Sequence, residues 1–174
     1  MEAKLIKFEV KKLPKLCVIG KEIRAKMTEM MGTNNPIPAF WGQCMSGHVF
    51  TTLEKTLGEN MYDPAYVGFM KMLNEDEVIN VCGMLMKPDT KAPEGFVSYD
   101  LESFTAGIGW IQGKEPDIYA AEHALVGEAV KNAGYKYDDS KGFAIELYNC
   151  PRYTNPDENG NKIIDYYMPI VPEQ

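Results

Sequence analysis

One order of elements, met twice along the chain, limits the folds open to it. Residues 5–24 read as extended. Leu5-Ile6-Lys7-Phe8-Glu9-Val10 alternates apolar and polar, Leu13-Pro14 interrupts, and Leu16-Cys17-Val18-Ile19-Gly20 resumes. Residues 25–35 end in the loop signal Gly32-Thr33-Asn34-Asn35. Pro36 and Pro38 then open a helix running to about Leu57, with Gly58 past its end and Gly42 and Gly47 as weak points inside it. Strands follow at Tyr66–Leu73 and Val78–Met86, joined by the charged turn Asn74-Glu75-Asp76-Glu77. Residues 88–95 have linker composition. After it comes extended chain from Phe96 to Gln112, broken at Leu101-Glu102-Ser103. A helix runs from Pro116 to about Ala133, and strands lie at 143–150 and 163–171. The order is β-α-β-β twice, in a first half at about 5–87 and a second at about 96–171 of a single domain. A stripe of Ile118, Ala121, Leu125 and Ala129 is the expected apolar face of the second helix.

Within the second half, Phe143-Ala144-Ile145-Glu146-Leu147-Tyr148 alternates faces. Glu146 is the only charge in 143–150, and it shares its face with Ala144 and Tyr148. A carboxylate among small and aromatic side chains is suited to meet a cation or to act as an acid or base; a strand with one wet face accounts for it equally. Aligning the halves sets Tyr66-Val67-Gly68-Phe69 against Phe143-Ala144-Ile145-Glu146, so Phe69 stands where Glu146 does and the acid is on one side only.

Composition excludes several classes of function. The 174 residues carry a net charge of −7. An acidic chain whose longest basic run is Lys11-Lys12-Leu13-Pro14-Lys15 is a poor nucleic-acid binder, because phosphate contacts need a basic patch. Cys17, Cys44, Cys82 and Cys150 form no CxxC pair and no zinc spacing, so no metal site is expected and a reducing cytoplasm is. The N-terminus lacks a secretory apolar core, and no run of ~18 apolar residues predicts a membrane span. His48 and His123 have no carboxylate or cysteine at ligand spacing and read as structural or exposed. No P-loop, no GxGxxG and no Ser-His-Asp set is present, and no cofactor is expected.

The doubled order, the Ile-Glu-Leu-Tyr centre of residues 145–148 and the terminal Ile-Asp-Tyr-Tyr-Met-Pro-Ile of 164–170 resemble the GyrI-like (gyrase-inhibitor-like) small-molecule-binding domain. That domain also serves as the effector-binding module of multidrug-responsive transcription activators. The resemblance implies an α+β fold of two pseudo-symmetric, SH2-like β-α-β-β halves. They form an antiparallel sheet with two main helices and a ligand groove between them. It places the family's ligand-contacting glutamate at Glu146. Some stand-alone members resemble hydrolases that open strained cyclopropane rings of toxic natural products, with a tryptophan and glutamates lining the site. That tryptophan falls at Trp110, with Trp41 second. No helix-turn-helix precedes residue 5, so direct binding to nucleic acid is not expected.

The expected function is a stand-alone cytoplasmic binding protein for amphipathic aromatic, cationic small molecules, used in drug or toxin sensing or sequestration. The alternative is a detoxifying hydrolase with Glu146 and Trp110 as catalytic groups. A protein partner, as for family members that bind a topoisomerase, is conceivable, and no surface for one is located. The candidate ligand-binding residues are Glu146, Trp110, Tyr148, Trp41, Tyr66, Phe69, Phe104 and Tyr167. Aromatic faces suit a flat or cationic ligand, and core packing accounts for such residues as well. Gly107 and Gly109, just before Trp110, leave room for an approaching group. The eleven methionines, Met70, Met72, Met84 and Met86 among them, suit an adaptable lining or plain packing.

Overall fold

The first strand of each repeat does not pair within its own repeat. In the computed structural model, which describes residues 2–174, β1 (Lys4–Leu13) is antiparallel to β6 (Phe104–Gly113). β2 (Leu16–Lys26) is antiparallel to β5 (Val97–Leu101). The chain passes from one compact unit to the other after Pro14, which has no N–H to give a ladder, and back again at Glu102-Ser103. Ser103 Oγ donates to Leu13 O at 2.6 Å and ties the two crossing points. Two compact units result, Lys15–Glu102 and the N-terminal segment through Pro14 together with Ser103–Gln174. The fold is mixed α+β, with nine strands and four α-helices among the described residues.

In the unit Lys15–Glu102 the strand order is β3 (Met61–Met72), β4 (Glu77–Met86), β2, β5, all antiparallel. One face packs Cys17, Ile19, Cys82, Met84 and Met86 against Cys44, Val49, Phe50 and Leu53 of the helices. The helix expected from Pro36 to Leu57 is broken. α1 is a single turn (Met27–Met30), α2 covers Ile37–Ser46 and α3 Val49–Leu57. His48, between α2 and α3, takes a left-handed conformation at φ 58° that an α-helix cannot continue through. The third strand begins at Met61, five residues earlier than Tyr66, and its register shifts between those two residues.

In the other unit the order is β1, β6, β9 (Lys162–Pro172), β8 (Phe143–Tyr148), with the short β7 (Tyr135–Tyr137) also on β9. α4 (Asp117–Asn132) packs on the sheet. Its buried stripe is Ile118, Glu122, Val126 and Val130, one position round from the expected Ala121, Leu125 and Ala129. The β-branched residues at i, i+4 spacing fill the interface and the alanines are left at its edge. What fits the helix so closely is a row of glycines. A Cβ on Gly107 would lie 2.7 Å from Val130 Cγ2, and one on Gly109 would lie 2.5 Å from Val126 Cγ2. The room beside Trp110 that these glycines leave is therefore filled by α4.

Gly109→Ala should force α4 off the sheet and lower the unfolding free energy by about 1–3 kcal/mol, the usual cost of overpacking, read as a lower urea midpoint at unchanged m. An unchanged midpoint would mean the helix is not seated on this row.

Candidate functional site

The register sorts the candidate residues by face. Gly109, Tyr166 and Glu146 are partners in one row across β6, β9 and β8; Trp110, Asp165 and Leu147 form the next. Successive residues of a strand point to opposite faces. Gly109 faces α4, so Glu146 and Tyr166 face it too, while Trp110 and Asp165 point away. Tyr148 is two residues from Glu146 and shares its face. Tyr167 is in register with Ile108 and Ile145 and lies on the Trp110 face. So does Phe104, buried edge-on against Phe143 at 5.2 Å. Trp110 and Glu146 are not brought together.

The remaining three are in the other unit. Trp41 stacks on Phe50 at 5.9 Å, and Phe50 on Tyr66 at 3.8 Å, over the helix-facing core. Tyr66 OH donates to Glu54 at 2.7 Å. Phe69 is fully buried on the opposite side of β3, its ring 5.8 Å from that of Tyr99.

Around Glu146 the structure assembles a group of polar side chains whose other members are not among the candidates. Glu122, one turn from both Ile118 and Val126 on α4, is buried with only 4% of its surface exposed and in hydrogen-bonding contact with Glu146. Burial, and then the charge of Glu146, push its carboxyl far above the ordinary range, so Glu122 is a neutral acid at neutral pH. Tyr148 OH donates to Glu146 Oε2 at 2.5 Å. Burial first and Glu146 next hold that phenol well above its usual range, a donor that stays protonated. Tyr166, likewise raised by burial and by the two acids, bonds His123 Nδ1 at 2.8 Å.

Beyond Tyr148 the group continues to the surface. The Tyr153 ring lies 4.9 Å from that of Tyr148 and its hydroxyl pairs with that of Tyr119. Tyr119 and Tyr153 both donate to Glu115 Oε1, at 2.5 and 2.7 Å, and Lys162 Nζ is 2.9 Å from the same oxygen. Burial alone would raise Glu115, but these donors together hold it down at about 2. A neutral acid, a carboxylate partner and a set of phenols thus occupy one face, a set able to meet a positive charge or to move a proton.

The other face is occupied by the chain itself. Arg152 donates from Nε to Asp165 Oδ1 at 2.9 Å and from a terminal nitrogen to Oδ2, and its guanidinium lies 4.0 Å from the Trp110 ring centre. Lys7 Nζ is 4.3 Å from the same ring. Trp110 is a platform for these two cations. Arg152 and Tyr153, adjacent in the chain, are fixed on opposite faces of the sheet. A shallow hollow of about 230 Å³ opens one turn further along α4, lined by His123, Val130, Tyr137 and Met168 among others, and Glu146 is not in its wall. No group of three or more His, Cys, Asp or Glu is placed to hold a metal among the described residues, and no helix there is long and apolar enough to cross a membrane.

Comparison with known proteins bears on the fold. No family model matches the chain, and no curated protein matches it. Among solved structures it is similar to SAV2435 bound to tetraphenylphosphonium, with a TM-score of 0.69 at 14% identity over 95% of this chain and 94% of that one. It is also similar to a protein of Staphylococcus aureus MU50 described as a bacterial transcription regulation protein, with a TM-score of 0.66 at 15% identity over 94% and 97%. The C-terminal domain of EcmrR gives 0.59 at 16% identity over 95% and 98%. At such identities the likeness is one of fold.

The buried acid has a thermodynamic signature. Above its unfolded value of 4.5, Glu122 keeps in the native state a proton that the unfolded chain releases, so its burial lowers stability as pH rises. Glu122→Gln should therefore be more stable than the parent at neutral pH. The gap should open with a slope of up to about 1.4 kcal/mol per pH unit and close near the acid end, as read by urea unfolding. Glu115, whose pKa is lowered, acts in the opposite sense and only between 4.5 and about 2. A gap that does not vary with pH would contradict this assignment.

Proposed function

We propose that this protein binds amphipathic aromatic monocations at the tyrosine-walled carboxyl pair of α4 and β8. The observation that carries the reading is the contact of half-buried Glu146 with buried Glu122. Sharing one proton, the two acids present about one negative charge, in a place where little water competes for it. The rings of Tyr148 and Tyr153 beside it offer faces to an aromatic cation. The tetraphenylphosphonium carried by SAV2435, a protein of similar fold, is a ligand of this kind and supports the reading. The GyrI-like resemblance, with its two SH2-like halves, central groove and role in multidrug sensing or sequestration, agrees with it. The place of action is the cytoplasm, where four unpaired cysteines are stable. Trp110, Tyr167 and Phe104, on the far face of the sheet, take no part in this site.

One observation favours hydrolysis as a second reading. Two neighbouring carboxyls, one held neutral, are the usual set for acid and base work. Glu146 would take a proton from water as its oxygen attacks a strained ring carbon. Glu122 would protonate the carbon released when the ring bond breaks.

Two measurements test these readings. Calorimetric titration with tetraphenylphosphonium should show binding by the parent and a loss of about tenfold or more in affinity for Glu146→Gln, because the charge is removed and the shape kept. Equal affinity would remove the electrostatic role of Glu146. A cyclopropane-bearing alkylator followed by mass spectrometry should give no more product with the parent than with Glu146→Ala if the site only binds. Turnover that depends on Glu146 would make the protein a hydrolase.

A further inference from the structure

The helix α4 carries a glycine that the packing does not call for. Glycine inside a helix costs stability against alanine, so it is kept where a side chain would collide or where a space is needed. Gly107 and Gly109 on the sheet are of the first kind, since a Cβ on either would run into Val130 or Val126. Gly127 is not. A Cβ there would meet nothing nearer than Met168 Cε at 3.9 Å, an ordinary contact. Nor does its backbone take the left-handed conformation that favours glycine.

Gly127 lies midway between His123 and Lys131 along one edge of α4, at four-residue spacing. Over it lies the hollow of about 230 Å³, between this edge and the strands β7 and β9. Val130 and Met168, both buried, give the hollow an apolar floor. Its wall is aromatic and held in place. The rings of Tyr137 and His123 meet edge-on at 6.4 Å; Tyr137 OH donates to Phe143 O at 3.1 Å, and His123 Nδ1 is paired with Tyr166 OH. A space of ~150 Å³ takes up a benzene ring, so this one has room for a ring with a substituent.

The rim sets the charge of what can enter. Lys131 of α4 and Lys136 of β7 stand there against Glu173. Among the described residues neither lysine has a carboxylate within ion-pair distance. In a chain of net charge −7, two such lysines at the mouth of an apolar hollow favour an anion.

We propose that this hollow is a second binding site, for a single-ring aromatic carboxylate. The ring lies over Gly127 against Val130 and Met168, and the carboxylate meets Lys131 and Lys136. Neither Glu122 nor Glu146 lines the hollow, so the site stands or falls apart from the cation reading above.

The test is an NMR titration of the protein, with methionine methyl groups labelled, against benzoate, benzyl alcohol and benzylammonium at low salt. Benzoate should shift the Met168 methyl resonance saturably. Its affinity should exceed that of benzyl alcohol by about fivefold, as two exposed ion pairs allow, and benzylammonium should bind most weakly. Replacing both lysines, Lys131→Gln with Lys136→Gln, should bring benzoate down to the level of benzyl alcohol. Gly127→Ala should raise the urea midpoint while weakening benzoate, and Gly127→Leu, which fills the space, should abolish the shift. Benzyl alcohol or benzylammonium binding as tightly as benzoate overturns the proposed ligand class. A lower urea midpoint for Gly127→Ala would mean that packing needs the glycine, and the inference would fall. It falls equally if benzoate gives no saturable shift, or if its affinity is unchanged in Gly127→Ala.

Discussion

A single contact between two acids is what the helix-side face of this sheet is arranged around. Glu122 reaches Glu146 only because α4 approaches the sheet unusually closely. That approach depends on Gly107 and Gly109, over which Val130 and Val126 are seated. With ordinary side chains there the helix would stand off, and a carboxyl of fixed length would no longer meet its partner on β8. Backbone close approach, helix stripe and titration of the acid pair are thus one connected arrangement. The stability given up to keep an acid neutral among apolar neighbours is recovered in the packing of Ile118, Val126 and Val130, each worth about 1.5–3 kcal/mol when fully buried.

The sheet of this unit divides its labour by face. On the helix side, phenols surround the acids and continue outward through Tyr153 to Glu115 and Lys162. On the other side, Trp110 and Asp165 hold Arg152. Because Tyr153 follows Arg152 directly, anchoring the arginine on one face fixes where the tyrosine stands on the other. Trp110 therefore bears on the face of Glu122 and Glu146 only through the backbone of the loop after β8.

Much of this was legible in the sequence, and the reasons for the rest are physical. The alternation of Phe143–Tyr148 marks Glu146 as a lone charge on a face with Tyr148, and the strand lies as that alternation requires. The second helix is bounded by Pro116 and Gly134 in sequence and ends within a residue or two of them. Two features are not recoverable from local pattern, and a third is easily passed over. The first is strand exchange: β1 and β5 pair across the repeat, and alternation says which face a strand buries but not which neighbour it joins. The second is the face that Trp110 takes, since glycines before a tryptophan read equally as room for a ligand or as a seat for a helix. The third is Glu122. Ile118, Val126 and Val130 at four-residue spacing, with a glutamate filling the gap, are a signal present in the sequence. A stripe drawn through alanines passes it by because a charge is presumed to face water.

The proton held between Glu122 and Glu146 is the centre of this account, and vibrational spectroscopy observes it directly. Infrared difference spectra between the parent and Glu122→Gln, recorded in solution at neutral pH, should contain a carbonyl stretch of a protonated carboxylic acid that is lost in the variant and shifts on transfer to D₂O. A difference spectrum with only carboxylate bands would mean that both acids are ionised in the folded protein and that no proton is held between them.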